Sequence, residues 1–348
     1  MADQEKFSVA VVGATGLVGQ EMLAVLEDRN FPVKNLGVFA SENSAGEELE
    51  FKSEYFKVEE LGESSFKGRN FDFVLFGTSA ELSAKYAPLA AQSGAVAIDN
   101  SSYFRMNPEI PLIVPEVNPD DLLMATSHRI IANPNCSTIQ LVCCLKPLDQ
   151  KAKLKRVVVS SYQSVSGAGS AALDELQEQI GALFSQTEVK KKVFPHQIAF
   201  NCIPHIDSFV SNGFTKEEMK IINESRKILG LPSLKITATA VRVPTLISHS
   251  ESVNIETEKE LSPEAARDCL EEAGVVVVDE PEKNRYPLAF EATGSDLVFA
   301  GRIRRDESVT NGLHLWVVAD NLRKGAATNA VQIAELCIAR KFLSSRVQ

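Results

Sequence analysis

This sequence predicts an α/β protein of two domains, and three features predict it. Short apolar runs alternate with helix-period segments through the first 135 residues, the pattern of a parallel sheet with right-handed crossovers. A glycine-spaced turn, Gly13-Ala14-Thr15-Gly16-Leu17-Val18-Gly19, joins the first apolar run to the first helical segment. After Cys136 the character changes to longer β-branched runs with few helices between them, the mark of an α+β domain. At 348 residues the chain exceeds what one hydrophobic core organises.

The elements follow in order. Phe7 to Val12 reads as a buried strand and Leu17 to Leu26 as a helix. Asn35 to Ala40, Phe71 to Phe76 and Ala95 to Ile98 are further strands, with a helix over Ala80 to Gln92 despite Pro88. Beyond Cys136, Ser137 to Leu148 reads as helix, Arg156 to Tyr162 as strand and Ala171 to Phe184 as an amphipathic helix. Thr215 to Leu229 is another helix, with Thr215 as N-cap and Glu218 as its capping-box partner. Strands at Ile236–Val243, Ser252–Thr257, Gly274–Asp279, Leu297–Arg304 and Leu313–Ala319 build a second sheet, expected to keep one face exposed or paired. Gly325 to Leu343 closes the chain as a long helix with Ala330, Ile333, Ala334 and Cys337 on one stripe. The basic stretch Lys151–Lys155 is expected to be a short solvated linker.

The strand, glycine turn and helix together make the first domain an α/β Rossmann-type dinucleotide-binding domain. Gly13 permits the tight turn, Gly16 lets backbone approach a pyrophosphate, and Gly19 allows helix to pack on strand. Amides at the helix start then hold the anion. At the end of the second strand, Ser41 and Ser44 offer hydroxyls to a 2′-phosphate, whereas Glu42 opposes one, so NADP and NAD both stand.

Asn133-Pro134-Asn135-Cys136-Ser137-Thr138 puts a cysteine at a helix start, where free amides and the dipole favour the thiolate that attacks an acyl group. His249 is the general acid/base partner. Arg242 lies seven residues before it, a spacing that puts the two on opposite faces of an unbroken strand, but Pro244 interrupts the run. Arg105 falls on the carboxyl edge of the first sheet, and two guanidiniums suit a substrate bearing carboxylate and phosphate. From spacing alone Glu217 and Lys220 are an exposed helix pair, and Arg302, Arg304 and Arg305 are structural or interfacial. Cys143, Cys144, Cys202, Cys269 and Cys337 are expected to be buried and inert.

A net charge of −10 argues against general nucleic-acid or membrane-surface binding. Six scattered cysteines without a Cys-x-x-Cys pair point to a reducing, cytoplasmic setting, and no pair of histidines has metal-ligand spacing, so no metal is expected. No signal-peptide core and no bilayer-length apolar run is present.

VAVVGATGLVGQE, DNSSYFRM, PLIVPEVNP, ANPNCST, SYQSVSGAG, IAFNCIPHID, ATAVRVPTLISHSESV and RKGAATNAVQIAE span nearly the whole chain. In these stretches the sequence resembles the aspartate-semialdehyde dehydrogenases. The resemblance implies reductive dephosphorylation of aspartyl 4-phosphate by NADPH, through a cysteine thioester, in lysine, threonine and methionine biosynthesis. It implies a homodimer, with the nucleotide domain over 1–135 and 325–348 and the catalytic and dimerisation domain over 136–324. By motif, the nucleophile falls on Cys136, the acid/base on His249 and the substrate-orienting glutamine on Gln163. Substrate contacts fall on Asn135, on Arg242 for the carboxylate, on Glu217 for the amino group, and on Arg105 and Lys220 for phosphate. Coenzyme contacts fall on Gly13, Thr15, Gly16, Leu17, Val18, Gly19, Ser41, Ser44, Ser166, Gly167 and Asn329. One departure matters: Asn43 stands where many bacterial members carry an arginine, which leaves NAD or dual use open. The rival readings are another thioester-forming dehydrogenase, such as an N-acetyl-glutamyl-phosphate reductase, and a non-enzymatic nucleotide-binding scaffold.

Overall fold

The structure, a computed structural model, describes residues 5–345. These residues form two compact units. One takes the chain up to Asn135 and again from Ala326 onward; the other takes Cys136–Gly325.

The first unit begins with β1 (Phe7–Val12), α1 (Leu17–Asp28) and β2 (Val33–Ala40). A small hairpin, β3 (Glu48–Phe51) and β4 (Glu54–Lys57), follows, then β5 (Glu59–Glu60), β6 (Phe73–Phe76), α2 (Ala80–Gln92), β7 (Val96–Asp99) and β8 (Ile130–Ala132). The six-stranded sheet runs β5-β2-β1-β6-β7-β8, every pairing parallel. Both faces of β1, β6 and β7 are buried, which is why these strands read as unbroken apolar runs. Phe7, Phe31 and Phe73 meet edge to face at one end of that core. The sequence reading did not anticipate the β3–β4 hairpin, whose alternation is masked by its many glutamates.

The second unit opens with α3 (Cys136–Ala152), β9 (Leu154–Gln163), α4 (Ser170–Phe184) and α5 (Lys216–Leu229). There follow β10 (Lys235–Arg242), β11 (His249–Thr257), α6 (Pro263–Glu272), β12 (Val276–Val277), α7 (Ala289–Ala292), β13 (Val298–Asp306) and β14 (Gly312–Ala319). Its mixed sheet runs β10-β9-β11-β14-β13-β12. The capping box forms at α5: Glu218 N–H donates to Thr215 Oγ1 at 3.3 Å, and Thr215 N–H to Glu218 Oε2 at 2.7 Å. The sheet alternates, with Val157, Val159, Ser161 and Gln163 of β9 buried and Tyr162 exposed. On that more open face Tyr162 lies against Trp316, beside a groove of about 350 Å³ bordered by Tyr286, Leu288, Arg302 and Arg304.

Returning to the first unit, α8 (Thr328–Ala339) covers its core with Ala330, Ile333, Ala334 and Cys337.

Several expectations need correction. The closing helix is not continuous from Gly325 to Leu343: a wide turn spans Arg323–Ala327, α8 ends at Ala339, and a separate 3-10 turn follows over Phe342–Ser345. Lys151–Lys155 is not a solvated linker. Its lysines are exposed, but Ala152 ends α3 and Leu154 begins β9, both buried. The strand expected over Gly274–Asp279 shrinks to Val276–Val277, because Gly274 (φ +84°) belongs to the turn after α6. β11 starts at His249, not Ser252, and Cys202 is exposed rather than buried.

Candidate active site

On the first unit, the sheet order changes direction between β1 and β6, the place where such sheets bind ligands. The Gly13–Gly19 loop sits there. A Cβ on Gly19 would stand 2.1 Å from Gly13 O, and one on Gly13 (φ +78°) 2.5 Å from Gly77 O just past β6. Side chains are thus excluded where α1 presses on β1. Gly16 is the N-cap of α1 and offers no side-chain acceptor, so the first-turn amides around Leu17 and Val18 are left for an anion. This cradle fits a dinucleotide pyrophosphate. Thr15 Oγ1 donates to Ser44 Oγ at 3.3 Å, which ties the loop to the turn after β2, where Ser41, Glu42 and Asn43 are exposed.

Arg105 follows β7 and is buried; its Nε donates to Asn133 O at 2.9 Å and its Nη2 to Asn100 O at 2.8 Å. Asn329 is wholly buried and donates through Nδ2 to Asn133 Oδ1 (2.7 Å) and Ile113 O (2.9 Å). Asn133 donates in turn to Asn100 Oδ1 and Ala326 O. Both residues therefore brace the segment that leads through buried Asn135 to Cys136.

On the second unit, strand register does what spacing does not. Gln163 pairs with Arg242 on β10 and with His249 on β11, so all three side chains leave one face of the sheet in a row. Arg242 and His249 end and begin separate strands; their seven-residue spacing says nothing about faces. Gln163 Nε2 lies 2.9 Å from Ser137 Oγ, 3.2 Å from Ser161 Oγ and 3.3 Å from Glu217 Oε1, which links the first turn of α3 to β9 and α5.

Cys136 is the first residue of α3 and is half-buried. Arg242 is buried and donates from Nη1 to Ser164 O at 2.6 Å. Burial lowers its pKa from the usual value, while Glu217 and Cys136 are the negative groups near enough to oppose that shift. Glu217 and Lys220 are not an exposed pair: Glu217 is 5% exposed, and Lys220 Nζ bridges Glu217 Oε2 at 3.1 Å and Asp207 Oδ2 at 2.9 Å. Burial opposes the charge on Lys220, but its two carboxylate partners outweigh it and hold the pKa above normal.

His249 is fully buried, and its pKa falls to about 3, first through burial and then through Arg242. Its Nδ1 accepts from Ser164 N–H at 3.1 Å, with Ser164 Oγ also 3.1 Å away. A backbone amide only donates, so the neutral ring carries its proton on Nε2. That Nε2 has no hydrogen-bond partner. Ser166 and Gly167 lie in the turn beside it, where a Cβ on Gly167 would touch Arg242 Nη1 at 3.0 Å and the His249 ring at 3.4 Å. Among the described residues no three His, Cys, Asp or Glu side chains group to hold a metal, and no helix is long and apolar enough to cross a membrane.

Sequence reasoning passed over three residues. Ser164 holds the imidazole, Asn321 holds Ser164, Ser166 and Ser248, and Gly325 backs Cys136, where a Cβ would stand 2.9 Å from Cys136 Cβ. Only SYQS, which contains Ser164, and RKGAATN, which contains Gly325, carried any signal.

The family described as semialdehyde dehydrogenase, NAD binding domain, matches residues 8–125, and that described as semialdehyde dehydrogenase, dimerisation domain, matches residues 145–324. The chain is 54% identical over 335 residues to the aspartate-semialdehyde dehydrogenase of Aquifex aeolicus, covering 95% of this chain and 98% of that one. It is 48% identical to the Bacillus subtilis protein of the same name, over 94% of this chain and 96% of the relative. Among solved structures it resembles aspartate semialdehyde dehydrogenase II from Vibrio cholerae complexed with ASA, with a TM-score of 0.93 and 45% identity over 97% of this chain and 99% of that one. With matches of this extent in both units, the chain belongs to the aspartate-semialdehyde dehydrogenase family.

Proposed function

We propose that this protein reductively dephosphorylates aspartyl 4-phosphate to aspartate 4-semialdehyde through a thioester on Cys136, in the cytoplasm and as a homodimer. The observation that carries the reading is the row Arg242–Gln163–His249, tied through Ser137 to the helix that begins with Cys136. The Vibrio cholerae relative with ASA supports the substrate, and the more open sheet face beside Tyr162 and Trp316 supports dimerisation.

Arg242 takes the substrate carboxylate, and Glu217, held by Lys220, takes the free amino group. Arg105 and Lys220 supply positive charge for phosphate, Asn135 lines the substrate, and Gln163 orients the acyl group. Cys136 thiolate attacks the acyl carbon, the C–O bond to phosphate breaks, and a thioester remains. The coenzyme is held by Gly13, Gly16 and Gly19 with Thr15, Leu17, Val18, Ser41 and Ser44, and by Ser166, Gly167 and Asn329. When bound, a nicotinamide coenzyme would supply hydride to the thioester carbon, after which the C–S bond breaks, the aldehyde leaves and Cys136 returns to thiolate. His249 presents Nε2–H to the substrate oxygen as negative charge develops there. The neutral ring thus offers that oxygen a hydrogen bond, while base work is closed to it because its lone pair faces Ser164. We further propose NADP as the preferred coenzyme, on the hydroxyls of Ser41, Ser44 and Thr15, with Asn43 in place of arginine leaving the preference over NAD modest.

The test is phosphate-dependent oxidation of three aldehydes (aspartate semialdehyde, N-acetylglutamate semialdehyde and glyceraldehyde 3-phosphate) with NADP or NAD. Aspartate semialdehyde with NADP is expected to give the highest kcat/KM. Cys136→Ser is expected to bind ligand yet lose nearly all turnover. Wild-type-like turnover in that variant overturns the mechanism.

A further inference from the structure

We infer that Asn321 reinforces the His249 tautomer that the Ser164 amide sets, as the outer end of a hydrogen-bond network through Ser166 and Ser164. The inference rests on the proposed role of His249. Asn321 follows β14 and is 3% exposed. Its orientation is fixed from outside the relay. Ser248 N–H donates to Asn321 Oδ1 at 2.8 Å, and an amide nitrogen in that position would leave two donors facing each other. Asn321 Nδ2 therefore points to Ser166 Oγ, at 3.0 Å. Ser166 Oγ, having accepted, can pass its own proton to Ser164 Oγ at 3.0 Å, and Ser164 Oγ to His249 Nδ1 at 3.1 Å. Both serine hydroxyls also lie 3.1 and 3.2 Å from Asn321 Oδ1, whose second lone pair can accept one of them, so the Nδ2–Ser166 bond biases the network towards His249.

The direction matters because each hydroxyl carries one proton. A donor at the Asn321 end lets Ser166 and Ser164 turn their protons towards His249, whose Nδ1 accepts. The Ser164 amide delivers the same instruction. The ring proton is thereby confined to Nε2, the atom left without a partner. Asn321 also supports a strained neighbour: Ser248 adopts φ +74°, the left-handed region, immediately before His249. Asn321 is thus a positioning residue.

Asn321→Asp separates the two duties. A carboxylate still accepts from Ser248 N–H but cannot donate to Ser166, so the relay reverses and Nδ1 loses a donor. We expect kcat to fall about 10- to 100-fold, with KM for the aldehyde changed less than about threefold. The new charge should also move the acidic limb of the kcat profile to higher pH. Asn321→Ala tests loss of both duties. Nitrogen-15 NMR of histidine-labelled protein, with His249→Asn to assign the signal, should show an unprotonated Nδ1 and a protonated Nε2 in the wild type. A protonated Nδ1 in the wild type, or an Asn321→Asp spectrum identical to that of the wild type, overturns the inference. So does Asn321→Asp with a wild-type kcat and pH profile while His249→Asn is inactive. If His249→Asn retains turnover, the catalytic reading falls, and comparison of the wild-type and Asn321→Asp spectra still decides the relay.

Discussion

Acidification should unfold this protein partly through His249, and the effect can be isolated. The ring is fully buried and neutral, with its pKa lowered from 6.5 to about 3. Below pH 6.5 the unfolded chain binds a proton there and the folded chain does not, so unfolding takes up a proton. The stability from this group is fully present above pH 6.5 and declines as pH falls towards about 3. Each pH unit in that window removes about 1.4 kcal/mol, to a ceiling of about 5 kcal/mol, a large share of a typical folding free energy. Carboxylates titrate over part of the same range, but they are common to wild type and His249→Gln. The assay is urea unfolding of both proteins at fixed concentration at pH 7.5, 6.5, 5.5 and 4.5. The stability advantage of wild type over variant should be constant down to pH 6.5 and then shrink by about 1.4 kcal/mol per unit. Since burial outranks Arg242 as the cause, Arg242→Met should leave the slope unchanged and lower the ceiling by only a minority, by ending the decline at a somewhat higher pH. A difference that stays flat from pH 7.5 to 4.5 would refute the claim that a buried, uncharged imidazole underlies it.

The parts of this fold that show through the sequence are those encoded locally. β1, the glycine turn and α1 are contiguous, and the glycines announce a backbone approach that Gly19 makes concrete. The Thr215–Glu218 capping box is likewise a four-residue object. The active site is different, because it is assembled by register. Arg242 and His249 cannot be related by counting residues, since each meets Gln163 from a different neighbouring strand. Glu217 looked like half of a solvated pair because helical spacing is blind to what covers the face; Gln163 reaches it from β9. Asn321 had no signal at all: its partners lie about 75 and 155 residues away. Resemblance found Gln163 and Glu217, but only geometry shows why they must be buried.

Three further tests follow from the same reasoning. Glu251 lies two residues beyond His249 on the same face, fully buried, and burial raises its pKa well above 4.5. A raised carboxyl stabilises below pH 4.5 and loses that contribution as pH rises, so Glu251→Gln should gain over wild type with every unit above 4.5 in urea unfolding; a constant difference counts against it. Arg242→Lys should raise the KM for aspartate semialdehyde about 10- to 100-fold, as a point charge replaces a fork and the 2.6 Å bond to Ser164 O is lost. Gly325→Ala tests the backing of the nucleophile. The added Cβ would stand 2.9 Å from Cys136 Cβ, closer than real Cβ atoms tolerate, and a tight 3.3 Å from its Cα, and Gly325 needs no positive φ. The first turn of α3 must therefore shift by a few tenths of an ångström, a small strain for the fold but a large one for the proposed attack of the Cys136 thiolate on an acyl carbon. We expect kcat to fall at least tenfold with Tm within a few degrees. Full turnover with unchanged thiol reactivity would mean that the position of Cys136 is set by something other than the wall Gly325 provides.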